Sequence, residues 1–287
     1  MASPLHLLRA LLVFLTFTSC TEWSVGQSVQ APSDAQPNPR PAVLLAGDSL
    51  VEQGDDPRND GWVSLLQSRY TRSADVMNRG LSGYNTRWFL KYAMPGLEDE
   101  ISKGAYTPAL IAVWLGTNDA VLTNGSNPEM HVPIADYTEN LAKIVANFQA
   151  AAPDAKMLLI TPPHVDDAAR AEFAATRTGA KRGLLDRSNA ETGNYARACT
   201  EAASKAGVPV LDLYSYFNAM PESDRNGLLQ DGLHFNAAGH NVIDEQFQST
   251  IETEFPDVME KLQPLQFPLA SKWVTEDPYI PANSTAN

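Results

Sequence analysis

The stretch LLQDGLHFNAAGH, residues 228–240, holds two of the chain's five histidines and sets Asp231 three residues before His234. At that spacing a tight turn lets a carboxylate hold one ring nitrogen of an imidazole while the other faces outward, as a general base requires. His240 lacks an equally placed acid and is read as a helix-surface or packing histidine. A base of this kind needs a nucleophile. In LLAGDSLVEQG, residues 44–54, Ser49 stands where an apolar run meets a loop. A serine there presents its hydroxyl to a cleft while its own N–H points into the same space. Ser and Asp are also at home in turns and helix caps, so the motif alone leaves that alternative open.

Acyl transfer to a serine further needs hydrogen-bond donors for the developing oxyanion. NRGLSGYNT offers Gly83, whose backbone N–H can approach a ligand unobstructed, and WLGTNDA offers Asn118, an amide at the end of an apolar run. Each has an ordinary alternative, a turn glycine and an Asx turn. Asp48 and Asp119 are read as acceptors for backbone N–H groups of their own loops, and Trp88 and Phe89 as helix core. Val51 occupies the last glycine position of G-x-S-x-G, so the serine does not sit in the nucleophile elbow of α/β-hydrolases.

The elements that must position these residues are legible as an alternation. Apolar runs at 42–47, 74–78, 110–116, 156–161 and 208–214 have the length and continuity of parallel strands covered on both faces. Between and after them come amphipathic patterns, with Ile134, Tyr137, Leu141, Ile144, Val145 and Phe148 on one helical face, and Val242, Ile243, Phe247, Ile251 and Phe255 on another. This predicts an α/β protein, a three-layer αβα sandwich around a five-stranded parallel sheet. Sites in such sheets form at the carboxyl ends of strands, where the loops bearing Ser49, Gly83 and Asn118 would converge.

The 287 residues are 44% apolar, enough for one well-packed domain with appendages. A formal charge of −13 and the lack of any Lys/Arg run exclude nucleic acid as a partner. Residues 1–26 have the build of a secretory signal peptide, with a basic start, the apolar run Ala10 to Phe17 and small residues before Gln27. That run is too short for a stable membrane span, so secretion is expected, with an uncleaved N-terminal anchor as the alternative. Residues 27–41 read as a proline-rich linker, 42–256 as the catalytic domain, and 257–287 as a C-terminal extension that wraps over the domain or trails from it. Cys20 falls within the signal segment. Cys199, the other cysteine, is read as buried and structural. Asn124 and Asn283 open N-glycosylation tripeptides. His164, in TPPHVDD, is read as a surface-loop histidine at the edge of the site.

In their order and spacing, GDSL, SGYN, GTND and DGLHF resemble the four blocks of the SGNH (GDSL) hydrolase superfamily, from about Val43 to Phe255. Residues 61–90 and TPPHVDD resemble more narrowly its isoamyl acetate-hydrolysing esterase-like branch. The resemblance implies Ser49 as nucleophile, His234 as base, Asp231 as its partner, and an oxyanion hole from the Ser49 and Gly83 N–H groups and the Asn118 amide. It also implies a flavodoxin-like strand order 2-1-3-4-5 and no metal or organic cofactor. The expected activity is a secreted serine esterase acting on carboxylic esters with a short acyl group such as acetyl, the substrate being a small-molecule or glycan ester. The same machinery also serves carbohydrate acetylesterases, lysophospholipases, thioesterases and acyltransferases. A catalytically silent binding protein is the non-enzymatic alternative, and the completeness of the catalytic set argues against it.

Overall fold

Residues in the three central strands alternate between two cores, and that alternation builds the molecule. In the computed structural model, which describes residues 40–267 and 269–271, these strands are β1 (Pro41–Gly47), β3 (Thr107–Trp114) and β4 (Lys156–Ile160). Val43, Leu45, Leu110, Ala112, Trp114, Leu158 and Ile160 enter one hydrophobic cluster, while Leu44, Ala46, Ile111, Val113, Met157 and Leu159 enter the other. Side chains of period two force this division, so the apolar runs are continuous because both faces are covered.

With β2 (Asp75–Gly80) and β5 (Val210–Leu211) the strands form one parallel sheet in the order β2-β1-β3-β4-β5, the expected topology. Helices Trp62–Arg69, Ala237–Glu254 and Pro256–Leu262 cover one face, and Met94–Ser102, Ile134–Ala151 and Asn189–Ala206 cover the other. The strand order reverses between β1 and β3, so the loops leaving these two strands part to opposite faces and open a crevice at their carboxyl ends.

Several boundaries differ from the sequence reading. The run 208–214 pairs only at Val210–Leu211, because Asp212 caps the following helix Leu213–Asn218 by accepting from the Ser215 N–H at 3.1 Å. The expected C-terminal extension starts within an ordered helix, Pro256–Leu262, whose Val258 and Leu262 are fully buried, so the packed core runs past residue 256. Cys199 is buried. The expected signal segment, residues 27–39 of the linker and the Asn283 tripeptide lie outside the described residues; Asn124 lies exposed on a loop.

His164 is not a surface residue. Its loop runs beneath the helix Glu222–Asn226, where Nε2 lies 2.8 Å from the Arg225 carbonyl and the ring sits 4.8 Å from that of Phe217. The imidazole is wholly buried. Burial pushes its pKa down to about 4, below the ordinary value of about 6.5 that it recovers on unfolding. The unfolded chain therefore takes up a proton that the folded chain refuses, and the stabilising contribution is complete above the unfolded value and lost as pH falls toward the folded one. His164→Gln, which retains a donor for the Arg225 carbonyl, should lose less melting temperature than wild type between about pH 7 and about pH 4.5. Equal losses in the two proteins, read by thermal unfolding, would show that His164 is not the group that titrates.

Candidate active site

The strand-to-helix turn after β1 places Ser49. A Cβ on Gly47 would lie 2.5 Å from the Trp114 carbonyl oxygen, so glycine lets β1 and β3 close up at their ends. Asp48 then accepts the Leu50 N–H at 2.9 Å and caps the short helix Ser49–Glu52. Trp62, packed edge-on against Trp114 at 5.8 Å, donates from Nε1 to the Leu50 carbonyl at 3.0 Å and ties the turn to the core. Ser49 itself is 7% exposed and opens into a cleft of about 290 Å³.

The Asp231–His234 turn faces it across that cleft. One Asp231 oxygen accepts the N–H groups of Leu233 at 3.0 Å and His234 at 2.8 Å, which closes the turn, while the other lies 2.8 Å from His234 Nδ1. Gly232 between them has φ +79°, and a Cβ there would meet Ala169 at 2.7 Å, so both conformation and space demand glycine. Burial pushes the Asp231 carboxyl upward, but the bonds from the His234 ring and N–H outweigh it and hold the group well below the usual carboxylate range. An ionised Asp231 fixes the proton on Nδ1. His234 Nε2, 3.0 Å from Ser49 Oγ, is left as the acceptor for the serine hydroxyl.

Gly83 and Asn118 line the same cleft. Gly83 has φ +81°, yet a Cβ on it would meet only the Met130 methyl at 3.9 Å. Its glycine is required by backbone conformation, and the free space expected from the sequence is incidental. Asn118 Nδ2 donates one hydrogen to the Tyr84 carbonyl at 2.9 Å and keeps a second for the cleft. Its Oδ1 accepts from Arg187 Nη2, which orients the amide with its nitrogen toward the cleft. The structure thus brings together all five residues singled out in the sequence. Asp48 serves its own loop as expected, whereas Asp119 reaches across to the segment after β2 and accepts the Thr86 N–H at 3.0 Å. Phe89 is core, and His240 is buried beside Phe235 with its ring 6.2 Å away. The described residues contain no cluster of metal-ligating side chains.

Residues 45–242 match the GDSL-like Lipase/Acylhydrolase family. The chain belongs to that family. An isoamyl acetate-hydrolyzing esterase 1 homolog of Rattus norvegicus is 37% identical over 206 residues, covering 71% of this chain and 78% of that protein. A GDSL esterase/lipase of Arabidopsis thaliana is 35% identical over 206 residues, covering 71% of this chain and 82% of its own length. In fold, the chain resembles the acetyl xylan esterase AlAXEase, with a TM-score of 0.56 at 15% identity over 73% of this chain and 99% of that one. Carboxylic ester hydrolysis is accordingly the reaction class of this GDSL-family enzyme.

Three residues that the sequence reading missed connect the parts of this GDSL-family site. Arg187 is almost wholly buried and donates to the Thr117 carbonyl at 2.9 Å, to Asp186 at 2.8 Å and to Asn118. Arg170 donates from Nε to the same Asp186 at 3.1 Å and from Nη1 to the Asp231 carbonyl at 3.2 Å. Burial alone would raise the Asp186 pKa; the Arg170 bonds and the charges of Arg187, Arg170 and Arg177 outweigh it, and the net shift is downward. Arg187→Lys keeps a charge for Asp186, but its compact ammonium cannot span the three separated acceptors that the guanidinium reaches from Nε, Nη1 and Nη2. It should lower kcat about 10- to 100-fold, the loss of a hydrogen bond to a charged group, with little change in KM. Combined with Asn118→Ala, it should add almost nothing further. Full additivity, or a loss confined to KM, would remove Arg187 from the positioning of Asn118.

Proposed function

We propose that the chain is a serine esterase that cleaves short-acyl, chiefly acetyl, carboxylic esters through an acyl-enzyme. The observation that carries this reading is the unbroken line from the Asp231 carboxylate through the His234 ring to Ser49 Oγ, with separations of 2.8 and 3.0 Å. Ser49 Oγ attacks the ester carbonyl as His234 Nε2 takes its proton, and the protonated ring then gives that proton to the departing alkoxide. Water, deprotonated by the same nitrogen, repeats the attack on the acyl-serine. Asp231 holds the tautomer and stabilises the imidazolium. The Ser49 and Gly83 N–H groups and the free Asn118 Nδ2–H receive the oxyanion.

The cleft wall mixes Gln53, Ser82, Asn127 and three arginines with Met130, Phe173 and Leu233, and the short acyl group is supported by the relatives of this chain. Several relatives are named for hydrolysis of isoamyl acetate. Export is part of the same proposal and rests on residues 1–26; among the described residues no helix is long and apolar enough to cross a membrane.

Two measurements test this. Across p-nitrophenyl esters from acetate to palmitate, kcat/KM should be highest for the shortest acyl groups and fall with length. A maximum at long chains would favour a lipase reading. Ser49→Ala should be inert, and a phosphonylating reagent should label Ser49 alone by peptide mass mapping. Asn118→Ala should lower kcat about 10²- to 10³-fold at nearly constant KM, and a loss below tenfold would take Asn118 out of the oxyanion hole.

A further inference from the structure

Arg170, Arg177 and Arg187 all line the cleft that Ser49 and His234 share, on a chain whose formal charge is −13. Two of the three are consumed by structure. Arg187 serves Thr117, Asp186 and Asn118, and Arg170 serves Asp186 and the Asp231 carbonyl, each with its side chain no more than 7% exposed. Arg177 is different. The carboxylate oxygen facing it is Asp186 Oδ2, at 3.8 Å, which is beyond hydrogen-bond length and is already bonded by both other arginines. Its guanidinium makes no hydrogen bond among the described residues, and its side chain remains 19% exposed. The Phe173 ring, 4.9 Å from the Arg177 guanidinium carbon and 4.4 Å from that of Arg170, holds it at the rim.

A guanidinium fixed by stacking, with its fork unfilled and turned to a cleft, is prepared for a planar or tetrahedral oxyanion. The stacking limits the rotamer entropy that binding would otherwise remove. Arginines also outnumber aspartates on the cleft wall, three against Asp186 and Asp231, so the local charge opposes that of the whole chain. Beyond a Debye length of about 8–10 Å the acidic surface is screened, and an anion in the cleft responds to the nearby cations. An acetyl group has no place for a charge. The remainder of the cleft then receives the alcohol part of the ester. We propose that this alcohol part carries an anionic oxygen group, carboxylate or phosphate, which Arg177 binds. The proposal rests on the short-acyl esterase reading of the same site.

Three acetate esters test it in the full-length protein: 4-acetoxybenzoate, 4-acetoxyphenyl phosphate and the neutral methyl 4-acetoxybenzoate. The readout is the ratio of kcat/KM, anionic over neutral, compared between proteins so that intrinsic reactivity cancels. Arg177→Gln should lower the ratio about tenfold or more for at least one anion, and the anion affected identifies carboxylate or phosphate as the preferred group. Arg177→Lys, which keeps the charge without the fork, should lower it in part, and it carries the test should the Gln variant not fold. Lys103→Gln, which removes an exposed charge that is paired with Asp99 one helical turn away and does not line the cleft, should leave the ratio unchanged. A ratio indifferent to both Arg177 substitutions, or one that falls equally in Lys103→Gln, overturns the proposal. Failure of the underlying esterase reading is a separate result: none of the three esters turns over, or turnover survives Ser49→Ala.

Discussion

One buried carboxylate, Asp186, holds the two halves of the site in register. It accepts from Arg170, which grips the backbone of Asp231, and from Arg187, which grips the side chain of Asn118. The Asp231 turn and the Asn118 amide are thereby referred to the same pair of oxygens. Removing one partner from a buried ionic group costs about 3–5 kcal/mol, because the remaining charge is left uncompensated. That penalty does not make the cluster a source of net stability, since apolar residues of like volume can be as stable. What the charges add is geometry: a guanidinium with several fixed acceptors has little freedom to rotate, and an amide held by it cannot flip.

This clamp works because the sheet has already done most of the positioning. Strand order reverses at β1 and β3, and Gly47 allows their ends to approach so that Ser49 and Asn118 leave the sheet beside one another. The Asp231–His234 turn comes from the far end of the chain and packs through Gly232 against Ala169. Ser49 and His234 are 185 positions apart, yet their 3.0 Å contact needs only two tight turns and a shared core wall. Trp62, Trp114, Phe235 and Phe247 form that wall beneath both turns.

The legible parts of the site are those whose chemistry is local. Asp231 and His234 bond within one turn, Ser49 directly follows its own cap, and Gly83 carries a conformation that glycine announces. The strands were legible because a doubly covered parallel strand must be continuously apolar. Arg187 and Arg170 were not, because each acts through a partner remote in sequence, 69 positions away for Asn118 and 61 for the Asp231 carbonyl. The loop that bears Arg187, GAKRGLLDRS, has no periodicity and reads as an ordinary charged connection. His164 was misread for a related reason: what buries it is the helix Glu222–Asn226, which its own neighbourhood does not foreshadow. The helix Pro256–Leu262 was lost among prolines although Val258 and Leu262 keep a one-turn spacing.

Burial near the site also has opposing electrical consequences. Burial pushes Asp48 up to about 6 and Asp119 up to about 7, against the bonds they accept from Leu50 and Thr86. Their folded values exceed the unfolded one, so the folded chain holds protons that the unfolded chain has released, and their stabilising contribution declines as pH rises from the unfolded value through 6 and 7. His164 and His240, each pushed down to about 4 by burial, act in the other direction over much of the same window. Between these values buried aspartates, Asp244 among them, and buried histidines therefore act on stability in opposite directions. A flat pH profile would reflect cancellation and would not mean that the groups are silent. The same balance bears on the site: an ionised Asp48 places negative charge next to Ser49, and the nearby charge of Arg187, which favours that ionisation, also offsets its field.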